Sequence, residues 1–111
     1  EKLFESQEYL PTSLVAENEA GTIVGFVMGQ LYMGEFGIFQ EEASLDTIGV
    51  DPEFQTSGVG KKLVDAFMEH LRELGVKKVN TLVDQDHESL VHFFKENGFG
   101  DSSTINLERK L

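Results

Sequence analysis

Residues 55–60, with the sequence Gln-Thr-Ser-Gly-Val-Gly, connect a segment with the pattern of a buried strand to one with the pattern of a helix. The strand pattern covers residues 43–50, and apolar residues then recur at helical spacing from Val59 to Leu74, before Gly75. The first N–H groups of a helix have no partner inside it, and the helix dipole gives them partial positive charge. This connection is therefore typical of a site for phosphate oxygens, which the absence of a Cβ at Gly58 and Gly60 would let approach the main chain.

Two other nucleotide-binding patterns fit this turn less well. A P-loop requires glycine where Gln55 stands and Ser or Thr where Lys62 stands, so that pattern is excluded. A dinucleotide fingerprint requires a third glycine where Leu63 stands, and an acidic residue meets the spacing of that fingerprint only by loose counting. The dinucleotide reading is therefore weak.

The pattern that does fit is Gln/Arg-x-x-Gly-x-Gly/Ala after a strand that ends in Val-x-Pro, here residues 48–63 with the sequence IGVDPEFQTSGVGKKL. It resembles the acetyl-CoA pyrophosphate loop of the GNAT superfamily of N-acyltransferases. The resemblance includes a second block, in which residues 78–83 predict an apolar strand and a short helix ends in Asn97-Gly98-Phe99. The alternative is an α/β domain that uses the strand-glycine-helix turn only for packing.

The resemblance implies an α/β (α+β) GNAT acyl-CoA N-acyltransferase fold, with a mixed, mostly antiparallel sheet around a central βαβ unit. Residues 13–17 and 22–32 predict two further strands, joined by a turn at residues 19–21. The second of these is apolar on both alternating sets of side chains, which predicts burial on both faces. Gly25 and Gly29 share one face and leave room for a helix or a ligand.

The rest of the chain predicts one long loop and no second domain. Residues 33–42 form this loop, whose Phe36, Ile38 and Phe39 pack either over the core or over the acceptor site. With 111 residues, 40% of them hydrophobic, we expect a single domain over residues 1–111. Compared with the superfamily, the leading strand and two helices are missing, so we expect an N-terminally truncated or shortened member.

Composition excludes several classes of protein. No run of eighteen apolar residues is present, so no membrane span is predicted, and we expect no secretory start segment. The absence of cysteine excludes disulfides, thiolate metal ligands and a cysteine nucleophile. His70 and His92 lack a second histidine at helical spacing, so we expect no metal site. These features are compatible with a reducing compartment, and we expect a cytoplasmic protein.

The net charge of −11, from 20 acidic and 9 basic residues, disfavours a nonspecific nucleic-acid binder. It favours a cationic substrate by long-range steering, or it serves only to keep the protein soluble. An anionic cofactor would need local positive charge, which Lys61, Lys62 and the helix N-terminus are placed to supply.

By resemblance, the strand before the turn diverges from its parallel neighbour, and main-chain groups of Ile48 and Val50 bind the pantetheine arm of acetyl-CoA. The N–H groups of residues 55–60 would then surround the pyrophosphate. The residues expected to bind the cofactor are Ile48, Gly49, Val50, Gln55, Thr56, Ser57, Gly58, Val59, Gly60, Lys61 and His87.

The residues that handle protons depart from the superfamily. Many members have a general-acid tyrosine four residues before the Gly of Gly-Phe, where this chain has Phe94. The asparagine that often starts this block corresponds to His87, which either bonds the pantetheine or is solvated behind an Asp86 N-cap. We expect the N-cap at Asp86 and leave His87 open between its two roles.

A carboxylate acting through water would serve as general base for an amine acceptor. Period two places Glu42, Ser44 and Asp46 on one strand face, and the catalytic glutamate of some members falls on Ser44. Our first candidate for the base is Asp46, followed by Glu42 and Asp84. The alternative is that Asp46 only bonds nearby backbone.

The sequence therefore predicts an N-acetyltransferase that moves an acetyl group from acetyl-CoA to a primary amine by direct attack. The amine belongs to a small molecule or to a protein. The alternative is a non-catalytic CoA-binding or acyl-CoA-binding module that senses or regulates. A homodimer is possible through edge strands near residues 104–111.

Overall fold

The computed structural model describes residues 9–34 and 38–111. Within them, four strands form one sheet in the order β1-β2-β3-β4. The strands are β1 (Tyr9–Glu17), β2 (Ile23–Met33), β3 (Phe39–Val50) and β4 (Lys78–Asn80), and the helices are α1 (Val59–Glu73) and α2 (Glu88–Glu96). β1, β2 and β3 pair antiparallel, whereas β3 and β4 pair parallel. The expected mixed sheet with a βαβ unit, β3-α1-β4, is confirmed.

The hairpin between β1 and β2 closes where the sequence predicts a turn. Asn18 Oδ1 accepts hydrogen bonds from the N–H groups of Ala20, at 3.0 Å, and Thr22, at 2.9 Å. β1 begins earlier than predicted, because the segment before Ser13 continues the ladder and Pro11 pairs with Gln30. A proline is tolerated there because β1 is at the edge of the sheet that the described residues form.

The core lies between one face of the sheet and the apolar side of α1. Phe67 and Leu71 of α1 are fully buried, as are Val27 of β2 and Leu45 of β3. Gly29 lets this helix approach, because a Cβ at Gly29 would lie 2.8 Å from Phe67 Cζ. The expectation that the β2 glycines leave room for a helix is confirmed.

The expectation that β2 is buried on both faces is confirmed for part of the strand only. Met28 is 48% exposed on the face away from α1, although Val24 on the same face is buried. Ile23, at the start of the strand, is 58% exposed. α1 covers only one face of the sheet, and apolar alternation alone does not show whether a second layer exists.

Two boundaries differ from the prediction because pairing, not composition, decides them. β4 ends at Asn80 rather than at residue 83, since the chain then leaves the ladder. β3 already begins at Phe39, so the connection from β2 is only residues 34–38. Phe36 lies outside the described residues, and Ile38 is 61% exposed rather than packed over the core.

The end of α1 is as predicted. The helix finishes at Glu73, and Gly75 has a φ of +91°, a left-handed conformation that glycine adopts without steric cost. Leu74 follows the helix and is 44% exposed, so it contributes less to the core than its spacing suggests. Among the described residues, no helix has the length and apolar character needed to cross a membrane.

Candidate functional site

The two parallel strands of the βαβ unit separate soon after they begin to pair. Glu42 to Ser44 of β3 pair with Lys78 to Asn80 of β4, and the ladder ends there. β3 continues to Val50, and over this second half it pairs with β2 alone among the described strands. One edge of β3 is therefore open along a gap that leads to the turn before α1.

The main chain of Ile48 and Val50 faces this gap. The carbonyl oxygen of Gly49 points toward β2, where it lies 3.0 Å from the Cβ position of Gly25. Because successive residues of a strand direct their main-chain groups to opposite edges, those of Ile48 and Val50 point away from β2. The carbonyl of Val50 accepts a hydrogen bond from Gln55 Nε2 at 3.2 Å, which ties the turn to the end of the strand.

Asp46 lies at a bulge in β3, just after the last residue that pairs with β4. Met28 pairs with Thr47 and the next residue, Gly29, pairs with Leu45, so Asp46 has no partner on β2. A bulge bends a strand and changes the direction of a side chain. Ser44 Oγ donates to Asp46 Oδ1 at 2.6 Å, and the carboxylate is exposed. The first candidate base thus lies beside the position where the superfamily carries a catalytic glutamate.

The other two candidate bases have different partners. Glu42 Oε1 lies 3.9 Å from Lys78 Nζ, across the β3–β4 pair. Asp84 Oδ1 accepts from the N–H group of Asp86 at 2.9 Å, in the turn before α2. Neither carboxylate contacts the Ser44–Asp46 pair by a hydrogen bond among the described residues.

A cavity of about 600 Å³ lies between the end of β3, the first turn of α1 and the exposed side of α2. Its walls include many of the predicted cofactor residues, namely Ile48, Val50, Gln55, Gly58, Gly60, Lys61 and His87. They also include five residues that the sequence analysis did not assign to the cofactor, namely Ser89, Leu90, Phe93, Glu96 and Asn97. Asp46 lies outside these walls.

The amides at the start of α1 are available to a ligand. The N–H groups of Gly58, Val59, Gly60 and Lys61 have no acceptor within the described part of the chain. Gly58, the N-cap, has a φ of +83° and no side-chain cap. Unpaired amides and the helix dipole together favour an anion here.

Some predicted cofactor residues have no unpaired N–H group or do not line the cavity with their side chains. The N–H group of Ser57 donates to Phe54 O at 3.2 Å, and so does its hydroxyl at 2.7 Å. The side chain of Val59 packs against the core, and Gly49 lies under Phe26, whose Cε1 would be 2.6 Å from a Cβ at Gly49. Ser57, Val59 and Gly49, like Thr56, lie outside the cavity walls.

Phe93 is one of the five wall residues that the sequence analysis did not assign to the cofactor. A Cβ at Gly60 would lie 3.1 Å from Phe93 Cε1, so the ring closes one side of the cavity against α1. Leu90, Phe93 and Asn97 recur at helical spacing on the cavity side of α2. Phe94 is one position further round the helix and is buried in the core. The helical spacing of Leu90, Phe93 and Asn97 could have predicted the role of Phe93. It was missed because Phe93 and Phe94 are adjacent, and the sequence does not show which of the two faces the core.

Phe94 occupies the general-acid position of many superfamily members, and it is only 4% exposed. Its ring makes edge-to-face contacts with Phe93 and Phe99, at centroid distances of 5.4 and 5.1 Å. The side chain has no hydroxyl, so it cannot donate a proton.

The N-cap of α2 is His87, and the expectation of Asp86 is wrong. The His87 N–H group donates to Asp84 O at 3.0 Å, and no side chain caps the helix. The reason is that Asp84 forms the turn, which places Asp86 before the cap. His87 instead lines the cavity, so the first turn of α2 also faces it.

Charged side chains around the cavity are largely paired. Lys61 Nζ lies 2.7 Å from Asp65 Oδ2, and His92 Nε2 lies 3.2 Å from Glu96 Oε2. Lys62 is exposed and is not part of the wall. The positive potential therefore comes chiefly from the α1 amides, supplemented by Lys61. The described residues contain no cluster of three or more side chains suited to a metal ion.

Comparison with known proteins relates this geometry to a family. A mycothiol acetyltransferase of Propionibacterium freudenreichii subsp. shermanii is 41% identical over 91 residues, which are 82% of this chain and 28% of that protein. The chain thus spans little more than a quarter of that relative's length.

Solved structures share the fold. An aminoglycoside acetyltransferase from an uncultured soil metagenomic sample, in complex with sisomicin, has a TM-score of 0.75 and is 22% identical in sequence. The match covers 96% of this chain and 68% of that protein's chain. Aminoglycoside N-acetyltransferase AAC(6')-Iy, in complex with CoA, has a TM-score of 0.74 and is 18% identical in sequence. This match covers 96% of this chain and 78% of that protein's chain. The model of the acetyltransferase (GNAT) family matches residues 1–99. This chain belongs to the acetyltransferase (GNAT) family.

Proposed function

We propose that the chain binds acetyl-CoA in the cavity between β3, α1 and α2, and transfers the acetyl group to a primary amine. The observation that best supports this proposal is that two features line one cavity. They are the edge of β3 at Ile48 and Val50, which pairs with no described strand, and the amides from Gly58 to Lys61, which have no acceptor among the described residues. An open strand edge suits an extended chain with amide groups, and the amides suit a diphosphate. Coenzyme A contains both parts.

Each part of the cofactor has a set of residues to hold it. The diphosphate lies at the N–H groups of Gly58 to Lys61, with the Lys61 ammonium beside them. The pantetheine arm bonds the outward main-chain groups of Ile48 and Val50, and Phe93 packs on its other side. The His87 side chain, at the N-terminus of α2, offers a ring nitrogen for a hydrogen bond. Acetyl-CoA supplies a thioester carbonyl that an amine attacks directly.

The chain's own chemical task is proton transfer. A lysine-like amine has a pKa near ~10.4 and arrives protonated, so a base must remove a proton before attack. Asp46 serves as this base, through water, and Ser44 Oγ orients its carboxylate from 2.6 Å. The bulge at Asp46 lies close to where β4 leaves β3. Since Phe94 has no hydroxyl, the departing thiolate takes its proton from water or from the substrate ammonium.

The acceptor is a cationic primary amine. A chain with a net charge of −11 attracts cations over several ångströms and repels anions outside the cavity. A sequence relative is named a mycothiol acetyltransferase, and fold neighbours are named aminoglycoside acetyltransferases. We therefore place small polyamines and aminoglycosides before protein amino groups as first substrates to test.

One observation favours a second function. The buried Phe94 removes the usual proton donor, which is compatible with a module that binds CoA or acyl-CoA and does not catalyse transfer. Such a module would retain the amides and the open edge of β3.

A binding measurement and a turnover measurement separate these functions. Calorimetry with CoA tests the cavity, and release of free thiol from acetyl-CoA, across a panel of primary amines, tests transfer. Amine-dependent thiol release supports the transferase. Binding without such release supports the non-catalytic module, and the absence of binding contradicts both. As a control, Gly100→Ala should bind CoA and release thiol as the parent chain does, because no atom lies within 4 Å of its new Cβ.

A further inference from the structure

A side-chain hydrogen bond extends the pairing of β3 and β4 beyond their ladder. Ser44 and Asn80 are the last pair of the ladder, and Leu45 and Thr81 follow them along the two strands. Thr81 Oγ1 donates to the main-chain oxygen of Leu45 at 2.8 Å, and this bond is partly buried. In the described part of the chain, no main-chain hydrogen bond joins the two residues. The Thr81 hydroxyl therefore holds the strands together one residue further.

This hydroxyl takes the place of a ladder bond. The N–H group of Lys77 donates to Glu41 O at 2.8 Å, so Lys77 faces β3. By alternation, Val79 and Thr81 direct their main-chain groups to the same edge, and a regular parallel ladder would bond the Thr81 N–H group to Leu45 O. The side chain of Thr81 makes that bond instead. Thr81 thus marks the point at which the two strands separate.

β3 is irregular on its other edge at the same level. Leu45 pairs with Gly29 of β2, and the residue after Leu45 is the bulged Asp46. The Leu45 side chain is buried in the core, which fixes one side of this residue. The bond from Thr81 fixes its carbonyl on the other side. Breaking that bond would leave a partly buried carbonyl without this partner, which costs free energy.

The position of this bond bears on the acyl group of the cofactor, an inference that rests on the proposed function. In that function, the diphosphate lies at the start of α1, and the pantetheine arm runs along β3 from Val50 past Ile48. The thioester end of the arm therefore points toward Leu45 and Thr81, at the narrow end of the gap. The acyl group is the last part of the arm, so it lies nearest to the Thr81 bond.

We propose that the bond between Thr81 and Leu45 closes the gap at its acyl end and so restricts the chain to short acyl groups such as acetyl. A longer acyl chain needs more room between the strands, and they move apart only when this bond breaks. Thr81 is a positioning residue in this account, because it acts through the main chain of β3.

Calorimetry with CoA, acetyl-CoA and butyryl-CoA measures the preference for a short acyl group. We expect the parent chain to bind acetyl-CoA more tightly than butyryl-CoA. Thr81→Val keeps the branched shape without the hydroxyl, so it should reduce this preference about fivefold, the equivalent of one hydrogen bond. Its affinity for CoA should match that of the parent, because Thr81 lies outside the cavity walls. A purely structural defect would instead lower the affinity for all three ligands together.

The matched variant is Thr81→Ser, which keeps the hydroxyl and loses the methyl group. We expect it to retain the preference of the parent. If the size of the side chain sets the preference, Thr81→Ser loses it and Thr81→Val keeps it, and this result overturns the proposal. Circular dichroism checks that both variants fold, and the result for Thr81→Ser remains decisive if Thr81→Val does not.

Amide exchange tests the bond without any ligand. Val79 is the last residue of β4 whose main chain faces β3, and its amide should exchange faster in Thr81→Val than in Thr81→Ser. Equal exchange overturns the proposal, since the hydroxyl would then not hold the strands together. CoA binding with one acyl preference in all three chains overturns this inference alone. Failure of the parent chain to bind CoA contradicts the proposed function, and this inference with it.

Discussion

The ring of Phe93 lies against the backbone of Gly60, so that a Cβ at position 60 would come 3.1 Å from Cε1 and 3.2 Å from Cζ. This contact joins the first turn of α1 to the cavity side of α2 and sets the width of the cavity between them. The sequence suggested that Gly60 is small so that an anion can approach. In the structure, its hydrogen faces a phenyl ring, whereas the Cβ position of Gly58 faces open space.

We expect Gly60→Ala to weaken CoA binding, since the new methyl group displaces the Phe93 ring from 3.1 Å, and we expect the higher helix propensity of alanine to offset part of the resulting loss of stability. Calorimetry with CoA and urea unfolding measure the two effects. Adding Phe93→Leu should recover part of the stability. Gly100→Ala is the control, because open space surrounds its new Cβ and the residue lies outside the cavity walls. Unchanged stability and CoA affinity in Gly60→Ala would show that the ring does not set the cavity width.

We expect Asp46→Asn to lower kcat by roughly 10²-fold to 10⁴-fold, the usual contribution of a general base, without changing the affinity for acetyl-CoA. Binding is spared because Asp46 lies outside the cavity walls. Ser44→Ala should lower kcat less, and Ser44→Thr should restore it by keeping a hydroxyl for Oδ1. Glu42→Gln on the same strand serves as the control. Full activity in Asp46→Asn would exclude this residue as the base.

We expect Lys61→Ala and Asp65→Asn to change CoA affinity in opposite directions. The ammonium lies beside the α1 amides, and Asp65 partly neutralises it from 2.7 Å. Removing Lys61 weakens binding, and removing the carboxylate strengthens it. Each effect should be only a few-fold, because both groups are exposed, and should shrink at high salt. Lys62→Ala, outside the cavity wall, should change affinity less. Effects of equal sign for Lys61→Ala and Asp65→Asn would contradict this electrostatic account.

We expect Gly29→Ala to be among the most destabilising single methyl additions in the sheet, by about 1 to 3 kcal/mol or more. A Cβ at this position would overlap the carbonyl oxygen of Ser44 and approach Phe67 Cζ to 2.8 Å. Urea unfolding at constant m-value measures the loss. Gly100→Ala, with open space around it, should change stability little. Equal stability of the two variants would mean that α1 can move away from β2 at no cost.

Local features of the fold were predictable because each depends on a few neighbouring residues. The spacing of Val59, Leu63 and Phe67 predicts α1, and the structure buries its apolar side against the sheet. Gly75 predicts where the helix stops. The pattern around Gly58 predicts the turn whose amides prove to be unpaired.

Features that depend on distant pairing were not predictable. The end of β4 at Asn80 follows from its separation from β3, and the bulge at Asp46 follows from the register with β2. The cavity role of Phe93, next to a buried Phe94, depends on how α2 is rotated against the core. No pattern of neighbouring residues predicts the register between β2 and β3 or the rotation of α2 against the core.

By itself, the sequence determined the order of strands and helices, the family, and the anion-binding start of α1, because periodicity and turn chemistry act over short distances along the chain. Only the tertiary structure decided which side chains share the cavity, that Ser44 bonds Asp46 at a bulge, and that β4 leaves β3 after Asn80. These arrangements arise from packing and pairing between segments far apart in the chain, where the free energy depends on all the partners at once.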